Sequence, residues 1–234
     1  MIEKSIGKVE QLNKVGNYDI EKLKSNISKL PEKTNEIKAK SPSRKNIEKL
    51  KSDVSKLPEK TNEIKVKSSS RKIEINKQEK FIKDVKNGKI KLENDNQKGN
   101  FGEMVTDKTM RDNGYKRISK ERVTDLNDKG HHGIDGVYYN KKENKYIIAE
   151  SKYGTSKLNE NTLDGKQMSD KWTGQNEYWN TDNRLNMDVG DKKATDIRVS
   201  KILDESSVRK VLVNVDEKGN AKVNELNKNG DKYI

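Results

Sequence analysis

Apolar positions are sparse in this chain, and their spacing changes along it. Leu23, Ile27 and Leu30, and again Leu50, Val54 and Leu57, recur at helical intervals before Pro31 and Pro58. That pattern predicts a short amphipathic helix, a break at the proline, and a second short helix. A different regime begins near Gly99. Phe101, Met104, Val105 and Met110 predict a helix that stops at Gly114, and Tyr115–Ile118 reads as a first strand. Next come two runs rich in β-branched and aromatic residues, Gly133–Tyr139 and Lys145–Tyr153, joined by the polar stretch Asn140–Asn144. They predict an antiparallel hairpin. A helix is expected from about Asp164 to Leu185, with Lys166, Gln167 and Asp170 on one face and Met168 and Trp172 on another. A further helix over Ala194–Leu203 should bury Ile197 and Ile202. Val208–Val215 and Ala221–Leu226 alternate as strands around the turn Asp216–Gly219. Helix, strands, helix, strand is the order of an α/β sandwich.

Composition divides the chain in two. Of 234 residues only 29% are hydrophobic and 38% are charged, too lean for one core along the whole length. Residues 1–98 carry 26 basic against 15 acidic side chains, and residues 99–234 carry 25 against 23, so the net charge of +13 belongs mainly to the front. The front also holds a duplication. Residues 22–45 recur at 49–72, shifted by 27, with 20 of 24 positions identical. Two copies are too few for a solenoid, and near-identity suits a spacer that tolerates length change. Residues 1–98 therefore read as a basic, helical, partly mobile stalk, and residues 99–234 as the working domain. Interspersed acids, and the near absence of aromatics before Phe81, favour a solvated linker over a nucleic-acid-binding arm. There is no cysteine, hence no disulfide or thiolate metal site. No apolar run approaches membrane-spanning length, and Met1–Lys4 leads into no signal-peptide core, so any export is expected to use another route.

The hairpin holds the candidate chemistry. Side chains alternate along a strand, so Glu150 and Lys152 share a face, and antiparallel pairing brings Asp135 toward them. Two acids and a lysine at one spot can hold a divalent cation beside a water molecule. Mg²⁺ takes hard oxygen ligands, commonly one or two carboxylates with water and phosphate oxygens. A lysine two residues from a metal-binding glutamate can orient a nucleophile and offset charge growing on phosphorus oxygens. An Asp…Glu-x-Lys triplet alone is common in lysine-rich chains. Here, however, it lies in the most apolar stretch, among Val137, Tyr146, Ile147, Ile148 and Ala149, where charges need a reason. His131 and His132 stand just upstream, as ordinary loop residues or as an additional ligand or proton carrier; they keep Zn²⁺ open. Arg117, Lys120 and Arg122 are cations that could meet phosphates or water.

The segments GIDGVYYN and YIIAESKYG resemble the core of the PD-(D/E)xK nuclease superfamily. The following LDGKQMSDKW is similar to the segment after that core in nuclease toxins at the C-termini of contact-dependent inhibition and related polymorphic toxin systems. The resemblance covers roughly Gly99 to Trp179, and no proline precedes Asp135. It implies a mixed-sheet sandwich of that superfamily. Asp135 and Glu150 would be metal-binding carboxylates, with the Ser151 carbonyl as a further ligand, and Lys152 the catalytic lysine. Glu103 would be a metal ligand from the preceding helix and Gln167 a catalytic glutamine, with Lys166 and Arg117 contacting substrate. The cofactor implied is a divalent metal, Mg²⁺ first, with Mn²⁺ or Zn²⁺ as alternatives. The activity implied is phosphodiester hydrolysis by a toxin, on DNA in preference to tRNA. Such a toxin would act in the cytoplasm of a target cell, alone or as part of a larger toxin, and an immunity protein would neutralise it. A restriction or repair endonuclease and a non-enzymatic nucleic-acid binder are the alternatives.

Overall fold

The computed structural model describes residues 57–130, 133–176 and 182–233. The expectations for the first repeat, for Leu50 and Val54, and for His131 and His132 lie outside the described residues. The first helix among the described residues, α1 (Leu57–Lys86), has Pro58 in its first turn, where the missing N–H would be unsatisfied in any case. The proline thus stands in the opening turn of this helix.

The chain divides into compact units at 1–71 and 72–234. The second unit contains the sheet, and residues 72–98 belong to it. Ile82 is buried, and Phe81, Val85, Ile90 and Leu92 pack on the cluster that includes Phe101 and Met104. The boundary expected at 98/99 thus moves to 71/72. The apolar face of α1 recurs at helical spacing but is diluted by lysines on the other side, so average composition assigned it to the stalk.

Helix α2 (Asp95–Asp112) starts where the Asn94 side chain accepts a hydrogen bond from Gln97 N–H. It ends before Gly114, whose φ of +82° takes the left-handed conformation. Strands β1 (Lys116–Arg117), β2 (Gly136–Asn140), β3 (Lys145–Tyr153), β4 (Val208–Val215) and β5 (Ala221–Leu226) form one sheet in that spatial order. Neighbours are antiparallel except β3 and β4, which run parallel. A parallel pair needs a crossover, and this one carries α3 (Asp170–Thr173), α4 (Arg184–Val189) and α5 (Asp191–Leu203).

Alternation along β3 separates two cores. Ile147 and Ala149 join Phe101, Met104, Val211 and Val213 on the side of α2. Ile148 joins Trp172, Leu185, Ile197 and Leu212 on the side of the crossover. The second unit is therefore a mixed α/β fold with a five-stranded mixed sheet between two cores. The β3, β4 and β5 ranges agree with the alternation read from sequence. The continuous helix expected over Asp164–Leu185 does not form: Gly165, Met168 and Gly174 all have positive φ, and between them stands the single turn α3. Trp172 is buried as expected, whereas Ile202 is only half-buried.

Candidate active site

The last ladder pair between β2 and β3 is Gly136 with Ala149. One residue further along this register, Asp135 comes level with Glu150. No β2 rung forms there. Instead the Asp135 carboxylate takes the place of backbone, its Oδ2 accepting a hydrogen bond from Ser151 N–H at 2.7 Å. The carboxylate therefore lies at the strand edge, between the two faces of the sheet.

Glu150 points to the crossover side and is buried, with 3% of its surface exposed. Its Oε1 accepts hydrogen bonds from Lys152 Nζ at 2.8 Å and from Gln167 Nε2 at 2.5 Å. Its Oε2 is also buried and accepts no hydrogen bond among the described residues. Gln167 reaches this position from a turn, not from the helix expected. The turn is held to Asn159 twice: Gln167 N–H donates to Asn159 O at 2.8 Å, and Asn159 N–H donates to Gln167 Oε1 at 3.0 Å.

Glu103 approaches from α2, on the other face. Sequence placed it in the first turn of its helix, where the helix dipole alone could account for a carboxylate. The helix starts eight residues earlier, at Asp95, so the dipole does not explain Glu103. Its neighbour Gly102 explains how it gets close: a Cβ at 102 would stand 2.8 Å from Ser151 Oγ, so glycine lets α2 lie directly on β3.

These carboxylates repel one another. Burial, followed by the charge of Asp135, pushes the Glu103 carboxyl up to about 9, with Arg117 pulling the other way. Burial and Asp135 likewise push Glu150 up to about 8, despite Lys152 and the hydrogen bond from Gln167. Asp135, Glu150, Lys152, Gln167 and Glu103 are therefore close enough to feel one another. Among the described residues, no group of three or more His, Cys, Asp or Glu is arranged to hold a metal ion together. Two carboxylates with a backbone carbonyl is nevertheless within the usual protein share of a Mg²⁺ shell.

Two expected substrate contacts are placed elsewhere. Lys166 Nζ is paired with Asp231 at 2.7 Å and Glu160 at 2.9 Å. Arg117 is turned inward, its side chain only 4% exposed and bonded to Asp107 Oδ1 at 2.7 Å. Burial beside an acid makes it a structural cation, not a solvated one.

Asp107 is the residue that sequence reasoning missed. Its Oδ1 also accepts from Tyr138 OH at 2.6 Å, and its Oδ2 accepts from Gln78 Nε2 at 2.8 Å. Burial pushes its carboxyl up, but Arg117 and Arg122 outweigh this and hold it below the usual range. Gly136 makes the tyrosine bond possible, because a Cβ there would lie 2.4 Å from the Tyr138 hydroxyl oxygen. A hint was legible: Asp107 follows Glu103 by four residues, on the helix stripe that carries Met104 and Met110.

The chain matches no protein-family model, no curated protein and no solved structure.

Proposed function

We propose that this protein is a metal-dependent nuclease that hydrolyses phosphodiester bonds. The observation that carries the reading is the buried Glu150 carboxylate: one oxygen is held by Lys152 and Gln167, and the other, Oε2, accepts no hydrogen bond among the described residues. A carboxylate is costly to bury with an unused oxygen unless a cation is to occupy the place. The raised carboxyls of Glu103 and Glu150 agree, since a divalent ion would relieve the repulsion that raises them.

Asp135, Glu150 and the Ser151 carbonyl would hold the ion, with Glu103 adding its charge from the α2 side. In an extended strand the N–H and C=O of one residue point to the same side. The Ser151 carbonyl is thus directed toward the edge that Asp135 occupies. When bound, the ion supplies charge screening of the phosphodiester and a lower pKa for the attacking water. The chain supplies the rest. Lys152 orients the water and offsets charge on the phosphoryl oxygens, and Gln167 keeps Glu150 Oε1 in place so that Oε2 stays presented. Mg²⁺ fits an all-oxygen set best, with Mn²⁺ next.

The resemblance to toxin nucleases extends the proposal to a DNase toxin held in check by an immunity protein. The deciding experiment incubates the purified protein with plasmid DNA and total tRNA, in Mg²⁺, Mn²⁺, Zn²⁺ or chelator. Metal-dependent cleavage that disappears in Lys152→Ala supports the reading, and full activity in chelator defeats it. A chain starting at Lys72 should cleave as the full chain does, because the compact unit begins there. A non-enzymatic binder working through its basic front would instead lose binding and show no cleavage at any stage.

A further inference from the structure

Arg117 makes a contact that the proposed chemistry does not use directly. Its Nη1 donates to Asp107 Oδ1 at 2.7 Å, and its Nη2 donates to the backbone carbonyl of Asp135 at 2.6 Å. One planar guanidinium thus joins a buried carboxylate on α2 to the residue just outside the β2 ladder. Asp107 is itself held from other directions, by Tyr138 OH and by Gln78 Nε2. Gln78 is fully buried and also donates to Val123 O at 2.7 Å, so the brace reaches back to α1. Asp135 begins where regular pairing has ended, and strand hydrogen bonding alone does not fix its backbone there.

We infer that Arg117 is a positioning residue: anchored by Asp107, it fixes the Asp135 backbone so that the Asp135 carboxylate stays on Ser151 N–H at the mouth of the site. The role rests on the nuclease reading only for its effect on rate; the geometry it sets is a property of the folded chain. A guanidinium is suited to it because its donors form a rigid fork, whereas a lysine can satisfy the Asp107 carboxylate or the Asp135 carbonyl but not span both. A misplacement of about 1 Å at a catalytic group costs on the order of 100-fold in rate.

The test uses the full chain with Arg117→Met, Arg117→Lys, Asp107→Asn and the remote core variant Ile197→Val. Two quantities are read: kcat and KM for nucleic acid cleavage, and the position of the Ser151 amide proton in the ¹H–¹⁵N spectrum. That proton reports its bond to Asp135 whether or not the protein cleaves anything. Arg117→Met should lower kcat by about 100-fold with KM within about twofold, and move the Ser151 amide proton upfield. Arg117→Lys should recover part of both. Ile197→Val should lower Tm and change neither kcat nor the proton.

Should Arg117→Met not fold, Asp107→Asn carries the test, with a smaller loss of the same pattern. A rise in KM at unchanged kcat would make Arg117 a substrate contact and overturn the inference. So would a loss of kcat with the Ser151 proton unmoved, or a folded variant with wild-type kcat. An inert wild type whose Ser151 proton still moves in Arg117→Met would support the brace and defeat the nuclease reading separately.

Discussion

Glu150 and Asp170 are both carboxylates paired with lysine on the crossover side of the sheet, and they are compensated in opposite ways. Asp170 takes Lys210 Nζ on Oδ1 at 2.5 Å and Lys201 Nζ on Oδ2 at 2.8 Å. Burial pushes its carboxyl up, yet the two lysines prevail and hold it below the usual range. Glu150 has one lysine, and burial followed by the charge of Asp135 prevails over it, so its carboxyl goes up. In the first cluster the chain's own lysines meet the carboxylate charge. The second carries more negative charge than its own cations can satisfy, and a cation from outside would complete it. Buried acids are thus distinguished less by depth than by whether the chain has already supplied their counter-charge.

The largest effect that would sharpen this contrast is on cleavage. Glu150→Gln should lower the rate by roughly 10³-fold in a plasmid nicking assay while leaving circular dichroism unchanged. Asp170→Asn should do the reverse. Cleavage per folded molecule is kept, while urea denaturation shows a loss of about 3 kcal/mol because Lys210 and Lys201 lose their shared carboxylate. Swapped outcomes would break the comparison.

A subtler separation lies in pH. Glu103 and Glu150 have folded pKa values raised above their unfolded ones, so the folded state binds more protons between pH 4.5 and about 9. Stability of the metal-free protein should therefore fall as pH rises through that window. Tm measured from pH 5 to 9 checks this, and Glu150→Gln should make the decline shallower. Added Mg²⁺ should raise Tm more at pH 8.5 than at pH 6, since it competes with protons for the same oxygens. The smallest effect concerns the support beneath the site. Gly136→Ala places a methyl against the Tyr138 ring and should cost about 1–3 kcal/mol in denaturant unfolding.

Much of the sheet could be read directly from the sequence. β3 and β4 are covered on both faces and read as β-branched runs, β5 is the edge strand that pairs back onto β4, and Glu150 and Lys152 follow from the period of two. The crossover was harder to read. Lys166, Gln167 and Asp170 have helical spacing, but Gly165, Met168 and Gly174 turn the chain into left-handed conformations that spacing does not reveal. Gln167 still lies beside Glu150, by a turn pinned to Asn159. The role of Arg117 was hidden for another reason. A cation before a loop looks solvated until its buried partner Asp107 is located, and that partner is carried by a different element. Residues 72–86 were misjudged because lysines on one side of α1 outweigh, in any average, the few apolar positions on the other.

The carboxylate of Asp135 occupies the position where one more rung of β2 would have closed the sheet. A single side-chain oxygen thus stops the two strands from zipping together and marks the point at which the chemistry is proposed to begin. An aspartate at 135 exchanged for a residue without that oxygen would disturb both at once. The length of the hairpin and the placement of the Asp135 carboxylate are therefore coupled in this protein.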